Sequence, residues 1–259
     1  MPYEQPATRK TPALIIYLLD MSGSMAEKVD LGPSAPERLR GVTKTDLVTR
    51  ALAAVIKEML QRSMKGSVPA ARYRVAAYAY NDRVHDVFGG ACPITDLVRI
   101  GVPAMKPEST TDAAKAFLKA EQLLISERTA LRDCPAPLVC HLTDGDFSGD
   151  DPAPIAERIR QMTFADGPVL VENIFFNEFA LVDPVRDVLA WPGVTSPDDL
   201  LSSGSRRLYE MSSVIPDSYL RLFHERGYAI RPGARMVFPG ETPEMLKAAF
   251  TMSGMTPIA

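Results

Sequence analysis

The chain is poor in the side chains that most often declare a chemistry: it has three histidines, three cysteines and one tryptophan. Cys92, Cys134 and Cys140 are odd in number, far apart and without a Cys-x-x-Cys pair, which speaks against a disulfide framework and against a structural zinc site. A reducing cytoplasm is the expected setting, with Cys140 a small core residue inside an apolar run. His85, His141 and His224 are scattered, and His141, lying within a strand pattern, reads as a core residue rather than a general base. There is no excess of positive charge: 29 Lys and Arg stand against 32 Asp and Glu, a net charge of -3. Nucleic acid therefore finds no global field to attract it. No apolar run approaches the ~18–20 residues that span a bilayer. The stretch from Met1 to Thr11 is polar and lacks the apolar heart of a signal peptide. A Gly-x-x-x-x-Gly-Lys phosphate loop and a Gly-x-Ser-x-Gly nucleophile elbow are both missing.

What is present is a pattern of strands that end in polar bursts. With 259 residues, 46% of them hydrophobic and 24% charged, the chain has enough apolar material for one generous α/β domain or two small ones. The run Leu14-Ile15-Ile16-Tyr17-Leu18-Leu19 is continuously apolar, as befits a parallel strand buried on both faces. It empties into Asp20-Met21-Ser22-Gly23-Ser24. In open α/β sheets ligands sit beyond the carboxyl ends of such strands. Asp20, Ser22 and Ser24 can turn three oxygen donors toward one point, a set that suits a hard cation such as Mg2+. The same Asp20 and Ser22 also suit simple capping of the turn that follows.

Strand and helix patterns then alternate. Apolar residues at Leu47, Ala51, Val55 and Met59, and at Val48, Leu52, Ile56 and Leu60, predict an amphipathic helix over 45–64, with Thr43 and Asp46 as its capping box. Glu27 to Gly41 reads as a loop beside the candidate site. Tyr73 to Tyr80 and Val84 to Phe88 flank the turn pair Asn81-Asp82 and predict a hairpin. Gly89 to Pro107 is loop-like. Ser109 to Asp112 opens a helix expected to run to about Leu131. Pro137 to Leu142 is a third strand ending in Thr143-Asp144-Gly145, Pro154 to Met162 the next helix, and Val169 to Phe176 the next strand. Such alternation builds βαβ units and a parallel sheet. Beyond Asn177, Val182 to Ala190 and Ser218 to Arg226 look helical, Ala234 to Phe238 suits an edge strand, and Glu244 to Thr251 a final helix. No composition shift marks a second domain. The expectation is one α/β domain over residues 1–259: a doubly wound, Rossmann-like, mostly parallel sheet flanked by helices, its core at about 13–177 and a C-terminal helical elaboration at about 178–259.

Taken together, Asp20-x-Ser22-x-Ser24, Thr111 at a helix start and Thr143-Asp144-Gly145 at a second strand end resemble the von Willebrand factor type A (VWA) family and its metal-ion-dependent adhesion site (MIDAS). The likeness covers about Ala13 to Asn177 and includes the Pro93 to Leu97 stretch after the hairpin. One departure is the absence of Gly-Gly before the threonine: Ser109 and Thr110 stand there, which leaves Thr110 as a substitute for Thr111. The resemblance implies a Mg2+ ion, replaceable by Mn2+ or Ca2+, held directly by Ser22, Ser24 and Thr111. Asp20 and Asp144 would act mainly through water or by bracing those ligands. It also implies that an Asp or Glu of a protein partner completes the coordination, so the chain is expected to be an adaptor or scaffold rather than an enzyme. Stand-alone bacterial cytoplasmic members beside tellurium-resistance stress systems, AAA+ ATPases or kinase–phosphatase pairs are the nearest analogues, and neither nucleic acid nor membrane is an expected partner.

Other readings compete for the same residues. Asp144-x-Asp146-x-Ser148-Gly149 imitates half an EF-hand loop, but Ile155 stands where a bidentate Glu belongs. Asp146, Asp150 and Asp151 read as an acidic rim or as first-turn helix charges. A Mg2+-dependent hydrolase or phosphatase with Asp20 as nucleophile is the enzymatic alternative, weakened by Ser22 where a second acid would be wanted. Trp191, Arg206-Arg207 and Met236 to Gly240 offer either a second contact surface or packing on the sheet edge.

Overall fold

A computed structural model of the chain describes residues 2–29, 41–145, 148–176, 180–240 and 242–258. Seven strands form one sheet: β1 (Ala13–Asp20), β2 (Tyr73–Tyr80), β3 (Val84–Asp86), β4 (Cys92–Pro93), β5 (Leu138–Thr143), β6 (Leu170–Phe175) and β7 (Val237–Pro239). The spatial order is β7-β6-β5-β1-β2-β3, with β4 also paired to β2. The five strands from β7 to β2 run parallel, while β3 and β4 are antiparallel to β2. β1 lies centrally, every residue buried, which is why its apolar run is unbroken.

Among the described residues seven α-helices cover the sheet: α1 (Lys44–Arg62), α2 (Ile94–Ile100), α3 (Ala113–Ser126), α4 (Ala153–Gln161), α5 (Ser203–Met211), α6 (Asp217–Glu225) and α7 (Pro243–Ser253). On one face α1 packs against α7, and on the other α3, α4 and α5 pack in succession. The capping box expected for α1 is present: Thr43 Oγ1 accepts from Asp46 N at 3.1 Å, and Thr43 N donates to Asp46 Oδ2 at 2.9 Å. Tyr17 links β1 to α7, its ring 5.8 Å from that of Phe250 and its hydroxyl 2.7 Å from Ser253 Oγ. Among the described residues no helix is long and apolar enough to cross a membrane.

Several local expectations are corrected. Gly89 to Pro107 is not all loop: α2 forms because Ile94 and Leu97 bury one face, and Gly101 at φ +71° ends it. The third helix stops at Ser126, and the chain reaches Leu131 through turns. Val182 to Ala190 is not helical; Pro184 interrupts the pattern, and Asp187 Oδ1 accepts the Leu189 amide at 2.9 Å in a local turn. The helix in this region is instead α5, which Ser202 caps by accepting Ser205 N at 3.0 Å. The final helix falls where expected, and the final strand is shorter and later than expected, Val237–Pro239 rather than Ala234 to Phe238. β7 extends the main sheet through parallel pairing with β6, so part of the C-terminal region is continuous with the core.

Candidate metal centre

β1 delivers Asp20 to the carboxyl end of the sheet with its side chain fully buried. The chain then turns tightly through a short 3-10 helix, Gly23–Ala26, pinned by the buried Met21 and Met25. Asp20 Oδ1 accepts the Ser22 amide at 2.9 Å, and Oδ2 accepts from Thr143 Oγ1 at 2.8 Å across the β1–β5 pair. The capping alternative is met only by Asp20: Ser22 makes no side-chain cap bond. Its hydroxyl instead faces that of Ser24 at 3.2 Å. Two hydroxyls close enough to share one cation thus sit beside a carboxylate that already fixes their loop.

The loop before α3 is tied to this turn by its backbone. Gly23 N donates to Ser109 O at 3.0 Å, and Glu108 N to Met21 O at 2.9 Å. Ser109 adopts φ +67°, a left-handed conformation costly for a residue with a Cβ. It takes this shape where the resembled family commonly places glycine. Thr111 is buried and Thr110 exposed, so Thr111 is the better placed of the two. Asp112, not Ser109, caps α3, accepting Lys115 N at 3.2 Å. Ser148, which the sequence reading passed over as a ligand support, clamps Thr111. Its hydroxyl accepts the Thr111 amide at 2.9 Å and donates to the Thr111 carbonyl at 3.0 Å.

Asp144 follows β5 and is 8% exposed. Its Oδ2 lies 3.5 Å from Lys44 Nζ, while Oδ1 is buried with no hydrogen-bond partner among the described residues. An orphaned carboxylate oxygen is rare and asks for an explanation; a cation or its water supplies one. The donor set of hydroxyls and carboxylates suits Mg2+ rather than a soft metal. Among the described residues no three His, Cys, Asp or Glu side chains cluster as a metal site, so any cation here depends on the serine and threonine oxygens. Burial raises the Asp20 carboxyl to about 6 even though Ser22 and Thr143 bond to it, with the nearby Asp144 charge adding to the rise.

Beneath the site a polar chain crosses the sheet. Tyr80, whose ring carbon skeleton is fully buried, bonds His141 Nε2 at 2.6 Å, and His141 Nδ1 bonds Asn173 Oδ1 at 2.8 Å. Asn173 Nδ2 donates to Ser212 Oγ at 2.9 Å and Leu208 O at 3.3 Å. Because the Asn173 oxygen accepts, His141 carries its proton on Nδ1 and Tyr80 donates to Nε2. Burial lowers the His141 pKa to about 4, which keeps the ring neutral; it is a core residue, as is Cys140.

Asp150 and Asp151 are exposed beside this end of the sheet, and Arg207 of α5 pairs with Asp151. Asp146 lies outside the described residues. The start of α5 presses on the same loop: a Cβ on Gly204 would come within 2.6 Å of the Gly145 carbonyl oxygen. Trp191, Met236, Val237 and Phe238 are buried, and Trp191 packs on Phe238 with ring centroids 5.6 Å apart. Of the two readings offered for these residues, packing holds for Trp191 and Met236 to Phe238, while Arg206 is exposed and Arg207 half-buried.

No family model and no curated protein matches the sequence. Solved structures do. Proximal thread matrix protein 1 from the mussel byssus aligns with a TM-score of 0.53 at 12% identity over 94% of this chain and 47% of its own. The same protein with a zinc-occupied MIDAS motif gives 0.52 at 12% identity over 96% of this chain and 46% of its own. This chain thus spans about half the length of that protein. The SpRpn10 VWA domain aligns with a TM-score of 0.50 at 9% identity, covering 92% of this chain and 93% of that domain. At such identities the likeness speaks for the fold, and it agrees with the strand order and layers described above: the chain has the von Willebrand factor type A fold.

Proposed function

We propose that this protein is a divalent-metal-dependent protein–protein interaction module, an adaptor or scaffold that reads an acidic side chain of its partner. The observation that carries this reading is that Asp20, bonded to Ser22 N and Thr143 Oγ1, holds the Ser22 and Ser24 hydroxyls 3.2 Å apart at the end of β1, while Asp144, next to Thr143, keeps one buried oxygen without a hydrogen-bond partner among the described residues. In it Ser22, Ser24 and Thr111 hold Mg2+ directly, while Asp20 and Asp144 orient those ligands or bind through water. A cation held by few direct carboxylates supplies a Lewis-acidic position for a partner's Asp or Glu oxygen. The chain's own part is to fix the two serine hydroxyls through Asp20 and Thr143, and to hold the Thr111 loop through Ser148. The zinc reported at the MIDAS motif of the mussel protein supports divalent occupancy on this fold. A cytoplasmic setting, with an AAA+ ATPase or a kinase–phosphatase system as partner, completes the proposal.

Titration calorimetry of Mg2+ and Mn2+ into the wild type and Ser22→Ala/Ser24→Ala tests the metal. Binding heat is expected only in the wild type, and equal heats refute the assignment. A pull-down with Mg2+ or with chelator, run beside Asp144→Ala, tests the partner. Identical recovery in every condition rejects metal-gated recognition.

A further inference from the structure

We infer that Lys44 is a built-in counter-cation of the candidate centre, which sets its affinity for divalent ions by competing for Asp144. The inference rests on the metal-site reading above. Lys44 opens α1, where a helix prefers negative charge in its first turn, so helix energetics alone gives no reason for a cation here. The reason lies in its two partners: Nζ is 2.8 Å from Glu27 Oε2 and 3.5 Å from Asp144 Oδ2. Only 15% of the Lys44 side chain and 7% of the Asp144 side chain are exposed, so the ammonium is held where it stands.

The backbone prepares that position. Lys44 N donates to Glu27 O at 3.0 Å, Val29 N donates to Val42 O at 3.0 Å, and Lys28 and Thr43 form an antiparallel bridge. Glu27 and Lys44 are therefore aligned by the chain rather than by a loose surface encounter. The ammonium satisfies one Asp144 oxygen through a long contact and leaves the other without a partner among the described residues. It balances part of the negative charge of Asp20 and Asp144 without filling the site. A divalent ion entering there meets this positive charge and takes over Asp144, while Glu27, already the closer partner, retains the ammonium. Metal loading is thus attenuated and readily reversed.

The test is calorimetric titration of Mn2+ into the full chain as wild type, Lys44→Met and Lys44→Gln, with melting temperatures measured in chelator. Removing one unit charge beside a divalent ion at a solvated site is expected to tighten Mn2+ binding about tenfold. Adding Ser22→Ala/Ser24→Ala to Lys44→Met is expected to abolish it. Binding in the wild type that is unchanged or weaker in both lysine variants overturns the inference and leaves the metal site standing; so does a lowered melting temperature without a gain in affinity. Binding only in the lysine variants, lost with the two serines, supports both. Absence of binding in all of these proteins overturns the metal-site reading and the inference with it.

Discussion

Glu172 is the most exacting test of the packing described above. It lies on β6 in a row with Cys140 and Tyr17, on the sheet face that meets α7. It is fully buried, and neither carboxyl oxygen has a hydrogen-bond partner among the described residues. Burial raises its pKa from 4.5 to about 8, with the neighbouring Cys140 thiol pulling slightly the other way. The folded chain therefore holds Glu172 protonated while the unfolded chain ionises it. Stability from this group is complete below the unfolded value of 4.5 and is lost as pH rises toward 8. At about 1.4 kcal/mol per pH unit crossed, the loss over that whole interval reaches on the order of 5 kcal/mol. Local opening that admits water lowers this, and at least ~2 kcal/mol is expected to survive. Glu172→Gln removes the titration and keeps the shape. Urea unfolding at pH 5 and pH 8.5 should show a difference between wild type and variant that moves by ~2–4 kcal/mol in the variant's favour at the higher pH. Comparing the two pH values cancels any constant cost of burying the amide. Parallel pH profiles for the two proteins would refute the burial of a protonated carboxyl at this position.

Two further predictions concern the site. Metal binding should strengthen as pH rises through about 6, because a protonated Asp20 must give up its proton; Mn2+ titrations in two buffers of different ionisation enthalpy would reveal the proton release, and affinity constant from pH 5 to 7.5 would contradict it. Ser148→Ala strips the buried Thr111 amide of its acceptor and is expected to cost about 1–2 kcal/mol of stability together with weaker Mn2+ binding. An unchanged melting temperature and affinity would show that the Thr111 loop is held by other contacts.

The strands were legible in the sequence because the centre of a parallel sheet demands uninterrupted apolar runs, and Leu14–Leu19 and Leu138–Leu142 have them. Asp20 and Asp144 were legible for the same reason: a carboxylate directly after such a run can only fall at the strand's end. Lys44 and Ser148 were not. Each acts through a partner more than thirty residues away in the chain, and nothing local distinguishes them from ordinary surface residues. Helix α5 escaped because its amphipathic signal is carried by two large apolar residues, Leu208 and Met211, whereas Val182 to Ala190 has the apolar content of a helix but is cut by Pro184. The small helix α2 was hidden inside a Gly- and Pro-bounded stretch whose two buried residues are too few to show a period.

The central place of β1 also governs how the molecule comes into being. Residues 13–20 pair with 73–80 on one side and residues 15–19 with 138–142 on the other, so β1 is made before both of its neighbours and waits for them. Until β5 has emerged, its apolar surface depends on transient shelter, a condition that slows folding and exposes a segment prone to association. Asp20, the Thr111 loop and Asp144 come from three segments, which that late pairing and the loop bonds Gly23 N to Ser109 O and Thr111 N to Ser148 Oγ bring together. The candidate centre therefore forms late: it arises when β1, β2 and β5 come together, and a cation that binds it would report the joining of those segments.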